Sequence, residues 1–548
     1  MTTAIDLYSG IGGWTLGLRM AGIDVIASYE WWADANLTHN KNFGSDHKEC
    51  DIRKLKIADL PPGEKVDFLV GSPPCTQFSL SNKAGGGDIE DGLIDIKKFL
   101  EVVKAMKPKY WAMENVPRVA NILKKEMEPK GQLWRYRKLF RDIRIYNSAD
   151  FGVPQDRRRM IAGDLPFELL DTYVGQVKGL QLKDVIVSLR QKPVVDPIYG
   201  FSLEAVTDHV LETCLSAEET RINQESKVHH PIYNQMCFPD RQDRPSRTIT
   251  ATCTRVSRES IIIGDPDESH PRRLTVRERA CLQSFPINYQ LFGKTYSNKI
   301  RMIGNAVPPL LSYYIAQSML QRPVEKLLRP TDIPAKRLVL SKEKATSHTP
   351  TYGGGKYLWN RSFWFAIKGL RFGSGVRFEL RNYHNKRTKL TSWRVNFVYG
   401  TSKRIKNKSL DPALLHRLLD IEVFQEQSAF GRLFEGLCKF ILNIDGLQLQ
   451  AYWTNKDRRS TGPLQLIDEL ARYAELFKKT LDDHLVAYPS SLEDIVRKEF
   501  SIKVKPKEYQ KKLMERSKEL FIGMLIGSCF NALLKGESIR IKSQRIRA

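Results

Sequence analysis

The sequence predicts an α/β core that carries a smaller, irregular region and is followed by a basic α+β domain. Three observations predict it: a strand–glycine turn–helix–strand opening over residues 3–30, a concentration of positive charge behind residue 330, and a switch from period-two to helical patterning inside that basic region. At 548 residues the chain is too long for one core and has the length of several domains of about 100–200 residues. Hydrophobic residues make up 41% and aromatics 10%, which excludes wholesale disorder. No stretch reaches the roughly 18 consecutive apolar residues of a membrane helix, and the N-terminus lacks a secretion-signal layout. The chain therefore reads as intracellular, cytoplasmic and free of the membrane. Eight cysteines stand singly with no CxxC pair, so neither a disulfide framework nor a metal site is expected. The net charge of +25 calls for a polyanionic partner, nucleic acid first, and so for a nucleoid-associated protein.

The elements follow in order. A short apolar strand leads into Asp6-Leu-Tyr8-Ser-Gly10-Ile-Gly12-Gly13, then an amphipathic helical run, then IDVIASYE ending in Glu30. This is the start of a Rossmann-like unit, in which glycines let backbone approach a ligand and an acid at the second strand end can bind both ribose hydroxyls. Trp31 could stack on an adenine ring or be ordinary core. Asp51 and Ile52, at the next strand end, could contact the adenine amino group and face. The apolar strand Val66–Gly71 runs into Ser72-Pro-Pro74-Cys75-Thr-Gln-Phe-Ser79. Prolines stiffen this turn and present a cysteine in a loop at a strand end, where α/β proteins place ligands. A further strand, Tyr110-Trp-Ala-Met, delivers Glu114, and Gln155-Asp-Arg157-Arg158-Arg159 precedes the strand-like MIAG. Together these supply a thiol nucleophile, a carboxyl group and two alternating arginines. Singly, the same residues read as a solvated strand end and a surface cluster.

In this order the motifs resemble those of the DNA (cytosine-5)-methyltransferases. DLYSGIGG, GSPPCTQFS, ENV, QDRRR, Arg273-Leu-Thr-Val-Arg-Glu-Arg through Pro286, and Gly304-Asn-Ala-Val-Pro308 all match, over about residues 3–320. The resemblance implies a mixed methyltransferase sheet with helices on both faces, formed by residues 1–165 and completed by about 287–325. It implies a target-recognition region over 166–286, S-adenosylmethionine as methyl donor, and a double-stranded DNA substrate from which the cytosine is flipped. The same chemistry on tRNA, or a catalytically silent DNA-binding regulator on this scaffold, are the alternatives.

Carbon 5 of cytosine is too weak a nucleophile to take the methyl group directly; attack by a thiolate at carbon 6 makes it one. By resemblance Cys75 is that nucleophile. Glu114 holds ring N3 and the exocyclic amine, Arg159 holds O2, and Arg157 supports the loop. Tyr8, Gly10, Gly12, Glu30, Trp31, Asp51, Ile52 and Asn305 line the cofactor pocket, with Pro74 forming the wall beside the sulfonium. Two positions depart from the family: Thr76 replaces a common Gln, and Tyr8 and Trp14 replace common phenylalanines. Residues 80–92 would close over the flipped base. Thr248 belongs to the segment that opens the base-reading loops, and Thr252, Thr254, Arg255 and Arg258 are candidate base or phosphate contacts. The enzyme would act as a monomer on DNA, alone or beside a partner restriction endonuclease.

Residues 331–548 hold 41 Lys+Arg against 22 Asp+Glu, so most of the excess charge lies there. Prolines 323, 330 and 334 mark a boundary, Ser341–Gly355 reads as a flexible linker, and 335–548 reads as the basic extension. Over 351–410 apolar residues alternate with basic ones, including Arg377, Arg381 and Arg394, as in amphipathic strands with one face suited to phosphates. A solvated face without a ligand is the alternative. From 411 to 548 the pattern is mainly helical. Asp411-Pro412 and His384-Asn385 raise the thought of a fused nuclease, but neither an Asp with a well-spaced Glu-x-Lys nor a His-Asn-His set is found.

Overall fold

The computed structural model describes residues 2–548 except 75–77, 79–87, 228–235, 265–269, 339–340, 342, 349–355, 373–375, 402–403, 409, 420–427, 456–460, 485–488, 501–512, 537–538, 542–543 and 547–548. One compact unit comprises Met1–Val228 and Gln235–Gly353, and a second comprises Gly354–Ala548.

The first unit is built on strands β1 (Thr3–Leu7), β2 (Asp24–Tyr29), β3 (Phe68–Gly71), β4 (Tyr110–Asn115), β5 (Asp142–Asn147) and β7 (Arg158–Asp164), ordered β2-β1-β3-β4-β7-β5. The first four run parallel, and β7 is antiparallel to both β4 and β5. Alternate side chains sort to opposite faces, as the strand period requires. Ala4, Phe68, Val70, Ala112 and Ile161 enter one hydrophobic cluster; Ile5, Leu7, Leu69, Trp111 and Met113 enter the other. Helix α1 (Gly13–Ala21) contributes Leu16 and Leu18 to the first cluster. The helix Ile89–Met106, capped by Asp88 accepting from the Asp91 N–H, contributes Ile96 and Phe99 to the second. Both faces of the sheet are therefore covered by helix.

Two glycines fix how α1 starts. Gly12 caps it in the left-handed region at φ 86°, a conformation that favours glycine. Gly13 lies so close to the 304–308 segment that a methyl group there would run into the Val307 carbonyl. Residues 166–286 add short strand pairs, among them Ser246–Arg247 against β6 (Gln155–Asp156), and share the first hydrophobic cluster through Leu182, Ile249 and Ile263.

The stretch read as a flexible linker is fastened down where it is described. Ala345 N–H donates to Gln290 at 3.0 Å, and the carbonyl of Thr346 accepts from Lys299 at 2.6 Å. His348 is buried between Asp208 and Glu212, 3.3 Å from the latter. Polar composition suggested a tether, but these polar groups meet buried ionic partners supplied from far along the chain.

The second unit carries a four-stranded antiparallel sheet, Trp364–Arg371, Arg377–His384, Thr391–Thr401 and Arg404–Lys408, in chain order. Phe378, Leu380, Trp393, Val395 and Phe397 form its buried face. The helix Ser517–Leu533 packs there so closely that Gly523 leaves no room for a side chain beside Phe378. Beyond Pro412 the described residues are mainly helical. Among the described residues no helix is long and apolar enough to cross a membrane.

Candidate active site

Of the predicted catalytic and cofactor residues, Tyr8, Gly10, Glu30, Trp31, Pro74, Glu114 and Arg159 lie at or next to the ends of β1, β2, β3, β4 and β7. At the end of β2, Glu30 is buried and its carboxylate accepts the Gly10 N–H at 2.9 Å and the Trp32 N–H at 2.7 Å. Burial pushes its pKa up, and these backbone donors pull it back. The Glu30 carbonyl accepts from Cys50 N–H at 2.8 Å, which brings Asp51 and Ile52 alongside. Asp51 accepts from Arg53 N–H and starts a single turn, while Ile52 is buried in the second cluster. Tyr8, at φ 57°, reaches Asp95, which Arg53 also grips at 2.7 Å. Space around Gly10 is open, Trp31 is 56% exposed, and Asn305 is exposed at the end of the helix Tyr296–Asn305. An open glycine turn, a buried acid and an exposed aromatic at adjoining strand ends fit a nucleoside-bearing cofactor. Gly12 is the exception: its surroundings are Phe43 and His39, so its smallness serves packing.

Glu114 and Arg159 come together across β4 and β7, with Arg159 Nε 2.8 Å from Glu114 Oε1 and both side chains nearly buried. Arg159 holds Oε1 and leaves Oε2 outside this ion pair. Cys75 lies outside the described residues, as do Thr76 and residues 80–87 of the expected closing loop. The chain on either side of Cys75 is held. Ser72 Oγ accepts from the Trp14 indole at 3.0 Å, the Pro73 carbonyl accepts from Asn115 Nδ2 at 3.0 Å, and the Phe78 carbonyl accepts from Arg118 at 3.4 Å. Asn115 stands inside the ENV motif but is not marked by the sequence as a site residue, because a side-chain amide does not announce its partner; Trp14, noted there only as a replacement for phenylalanine, gains a hydrogen-bonding role. Pro74 follows directly on the anchored Pro73.

Arg157, expected to support the loop, is buried and donates to the carbonyls of Ile249 at 3.0 Å, Gly304 at 2.9 Å and Ala306 at 3.2 Å, tying its own segment to the 249 and 304–306 segments; it is a positioning residue and not a group that touches a base. Gln155, also missed, works beside it, accepting from Ile249 N–H at 2.8 Å and donating to Leu282.

The nucleic-acid candidates divide. Thr252, Thr254 and Arg258 are exposed. The Thr248 hydroxyl instead donates to the Asp156 carbonyl at 2.7 Å, joining the two halves of the β6 pairing. Arg255 is corrected: it is buried, pairs with Glu219 at 2.7 Å and donates to the carbonyls of Thr213 and Cys214, so its guanidinium does not face a phosphate. In the second unit Arg377 and Arg381 flank the buried Glu379 at 2.8 and 2.5 Å, and Arg394 is exposed.

Comparison with known proteins bears on this geometry. The family model for C-5 cytosine-specific DNA methylase matches residues 2–321. Type II methyltransferase M1.HphI of Haemophilus parahaemolyticus is 31% identical over 344 residues, covering 58% of this chain and 87% of that protein. Type II methyltransferase M.AplI of Arthrospira platensis is 32% identical over 352 residues, covering 60% and 88%. The crystal structure of the S. pombe Dnmt2 methyltransferase is 18% identical with a TM-score of 0.40, covering 59% of this chain and 99% of that one. The chain belongs to the C-5 cytosine-specific DNA methylase family and is a DNA (cytosine-5)-methyltransferase.

Proposed function

We propose that the protein methylates carbon 5 of a cytosine flipped out of a specific duplex DNA sequence, through a covalent adduct of Cys75 at carbon 6. The observation that carries this reading is the Glu114–Arg159 pair, one carboxylate oxygen in the ion pair and the other outside it, beside the strand end from which the anchored Ser72–Pro74 segment leads to Cys75. S-adenosylmethionine supplies, when bound, a methyl group on a sulfonium. The residues that would hold it are Glu30, Trp31, Asp51, Gly10 and Asn305, with Tyr8 and Ile52 shaping the wall.

The protein's own groups account for the remaining chemistry. A proton on Glu114 Oε2 is given to cytosine N3 as the thiolate attacks, and Arg159, paired with Glu114 at 2.8 Å, neutralises charge that builds on O2. Addition of the Cys75 thiolate at carbon 6, with the Glu114 proton taken up at N3, makes carbon 5 nucleophilic; after methyl transfer a solvent base takes the carbon-5 proton, the carbon–sulfur bond breaks to release the thiolate, and N3 returns its proton to Glu114. Thr252, Thr254 and Arg258 meet DNA from the target-recognition region in this reading, which their exposure supports. The enzyme works as a monomer on cytoplasmic, nucleoid DNA, as a modification enzyme with or without a partner endonuclease.

Labelled S-adenosylmethionine offered with duplex DNA or tRNA tests the reading. Label is expected in DNA; label in tRNA alone, or in neither, overturns it. Cys75→Ala is expected to abolish transfer while cofactor affinity stays within a few-fold, and wild-type turnover in that variant would remove Cys75 from its role.

A further inference from the structure

The outward face of the second unit's sheet has a composition that phosphate attraction alone does not call for. Strand pairing sets Trp364 opposite Arg381, and Arg381 opposite Arg394. Trp364 is 55% exposed, although a tryptophan gains most from burial. Its ring is held rather than loose. The indole N–H donates to Glu379 at 2.5 Å, and the Arg381 guanidinium lies 3.7 Å from the ring centroid. Glu379 is fully buried and is bracketed by Arg377 and Arg381, so both cations are oriented by a carboxylate that solvent does not reach. A second exposed ring, Tyr383, lies beside Arg394 and accepts from Asn396 at 2.7 Å.

Three arginines against one acid leave this face positive, and the unit it belongs to lies within the stretch of 41 Lys+Arg against 22 Asp+Glu. Charge alone would serve any nucleic acid. A pre-oriented, exposed indole adds something that a duplex cannot use, because paired bases have no free π-face to offer, whereas an unpaired base does. Ordering before binding lowers the entropy cost of the contact, since the rotamers of Trp364, Arg377 and Arg381 are already fixed.

We propose that this face binds an unpaired DNA strand, with Trp364 as the stacking platform and Arg377, Arg381 and Arg394 meeting its phosphates. The choice of DNA over RNA rests on the family to which the chain belongs; the preference for an unpaired strand rests on Trp364 and is independent of the methyl-transfer reading.

The test is fluorescence anisotropy of the full-length protein with labelled oligothymidine, oligouridine and a blunt duplex, at several salt concentrations. Trp364→Ala is expected to weaken oligothymidine binding about 10-fold or more, and Trp364→Phe to restore most of it. Arg394→Gln is expected to lower the magnitude of the single-strand salt slope by about 0.7. Circular dichroism of each variant checks that it is folded. Oligothymidine affinity within twofold of wild type in folded Trp364→Ala, or an equal loss on the duplex, overturns the stacking platform. Preference for oligouridine overturns the assignment to DNA. Should Trp364→Ala not fold, an unchanged salt slope in Arg394→Gln overturns the proposal by itself. None of these readings requires methyl transfer, so they stand or fall apart from the proposed activity.

Discussion

Two strands of this protein each bury a glutamate beside arginine, and the two sites make opposite use of it. Glu114, at the end of β4, is held on one oxygen by Arg159. Glu379, in the middle of its strand, is held by Arg377, Arg381 and the Trp364 indole together. Burial does not distinguish them, since both carboxylates are withdrawn from water. The number of donors does. A carboxylate enclosed by two arginines and an indole is a structural node, whereas one paired with a single arginine at a strand end can still take a substrate's hydrogen bond.

The contrast is breakable. The largest effect is expected from Glu114→Gln, which lowers turnover by about 100-fold or more, in the range of general acid–base contributions. Its urea midpoint should stay near that of the wild type. Turnover within tenfold of wild type would mean Glu114 is structural after all. Glu379→Gln should do the reverse, destabilising the second unit by about 3 kcal/mol in urea unfolding, because two arginines are left facing each other without the charge that oriented them. A stable Glu379→Gln protein would erase the distinction.

A third acid sharpens it. Asp6 is fully buried with the Thr15 hydroxyl as its side-chain donor at 2.8 Å, and burial pushes its pKa up to about 7 from 3.8. A folded-state pKa above the unfolded one means the native protein binds the extra proton between these values. Stability is then greatest near pH 4 and is lost as pH rises toward 7, by up to about 1.4 kcal/mol per pH unit. Asp6→Asn should flatten that slope in cofactor-free unfolding measured from pH 4 to 7; an unchanged slope would place its cause elsewhere. The smallest effect concerns Arg258 and Arg255. Arg258→Gln should lower the magnitude of the salt slope of duplex binding by about one, while Arg255→Gln should lower the unfolding midpoint by breaking its pairing with Glu219. Exchange of these two outcomes would reverse the assignment of which arginine faces DNA.

Much of the catalytic end was legible because strand ends and glycine turns are local signals. β3, β4 and β7 lie where the apolar runs placed them, with Glu114 near the end of β4 and Arg159 near the start of β7. The alternation over 377–384 and 393–399 likewise announced a sheet with one apolar face. Arg157 and Arg255 were not legible, because a sequence shows charge but not whether carbonyls or a carboxylate from a distant segment will surround it. The same non-locality hid the fastening of 343–348: His348 and Lys299 are polar in any window, and Asp208 and Glu212, which make them core, lie more than eighty residues from either.

The close seat of α1 on the 304–313 region has a consequence for how the polypeptide is made. Ser312 bonds the Gly13 carbonyl, Tyr289 bonds that of Ile11, and Gly17 leaves no space beside Ser312. Helix α1 therefore has as its permanent neighbour a piece of this unit that is synthesised almost 300 residues later. At about 5–20 residues per second, the apolar flank of α1 stays uncovered for roughly 15–60 seconds. During that interval the α1 segment is a substrate for chaperones, and any pause in translation before residue 313 prolongs its exposure.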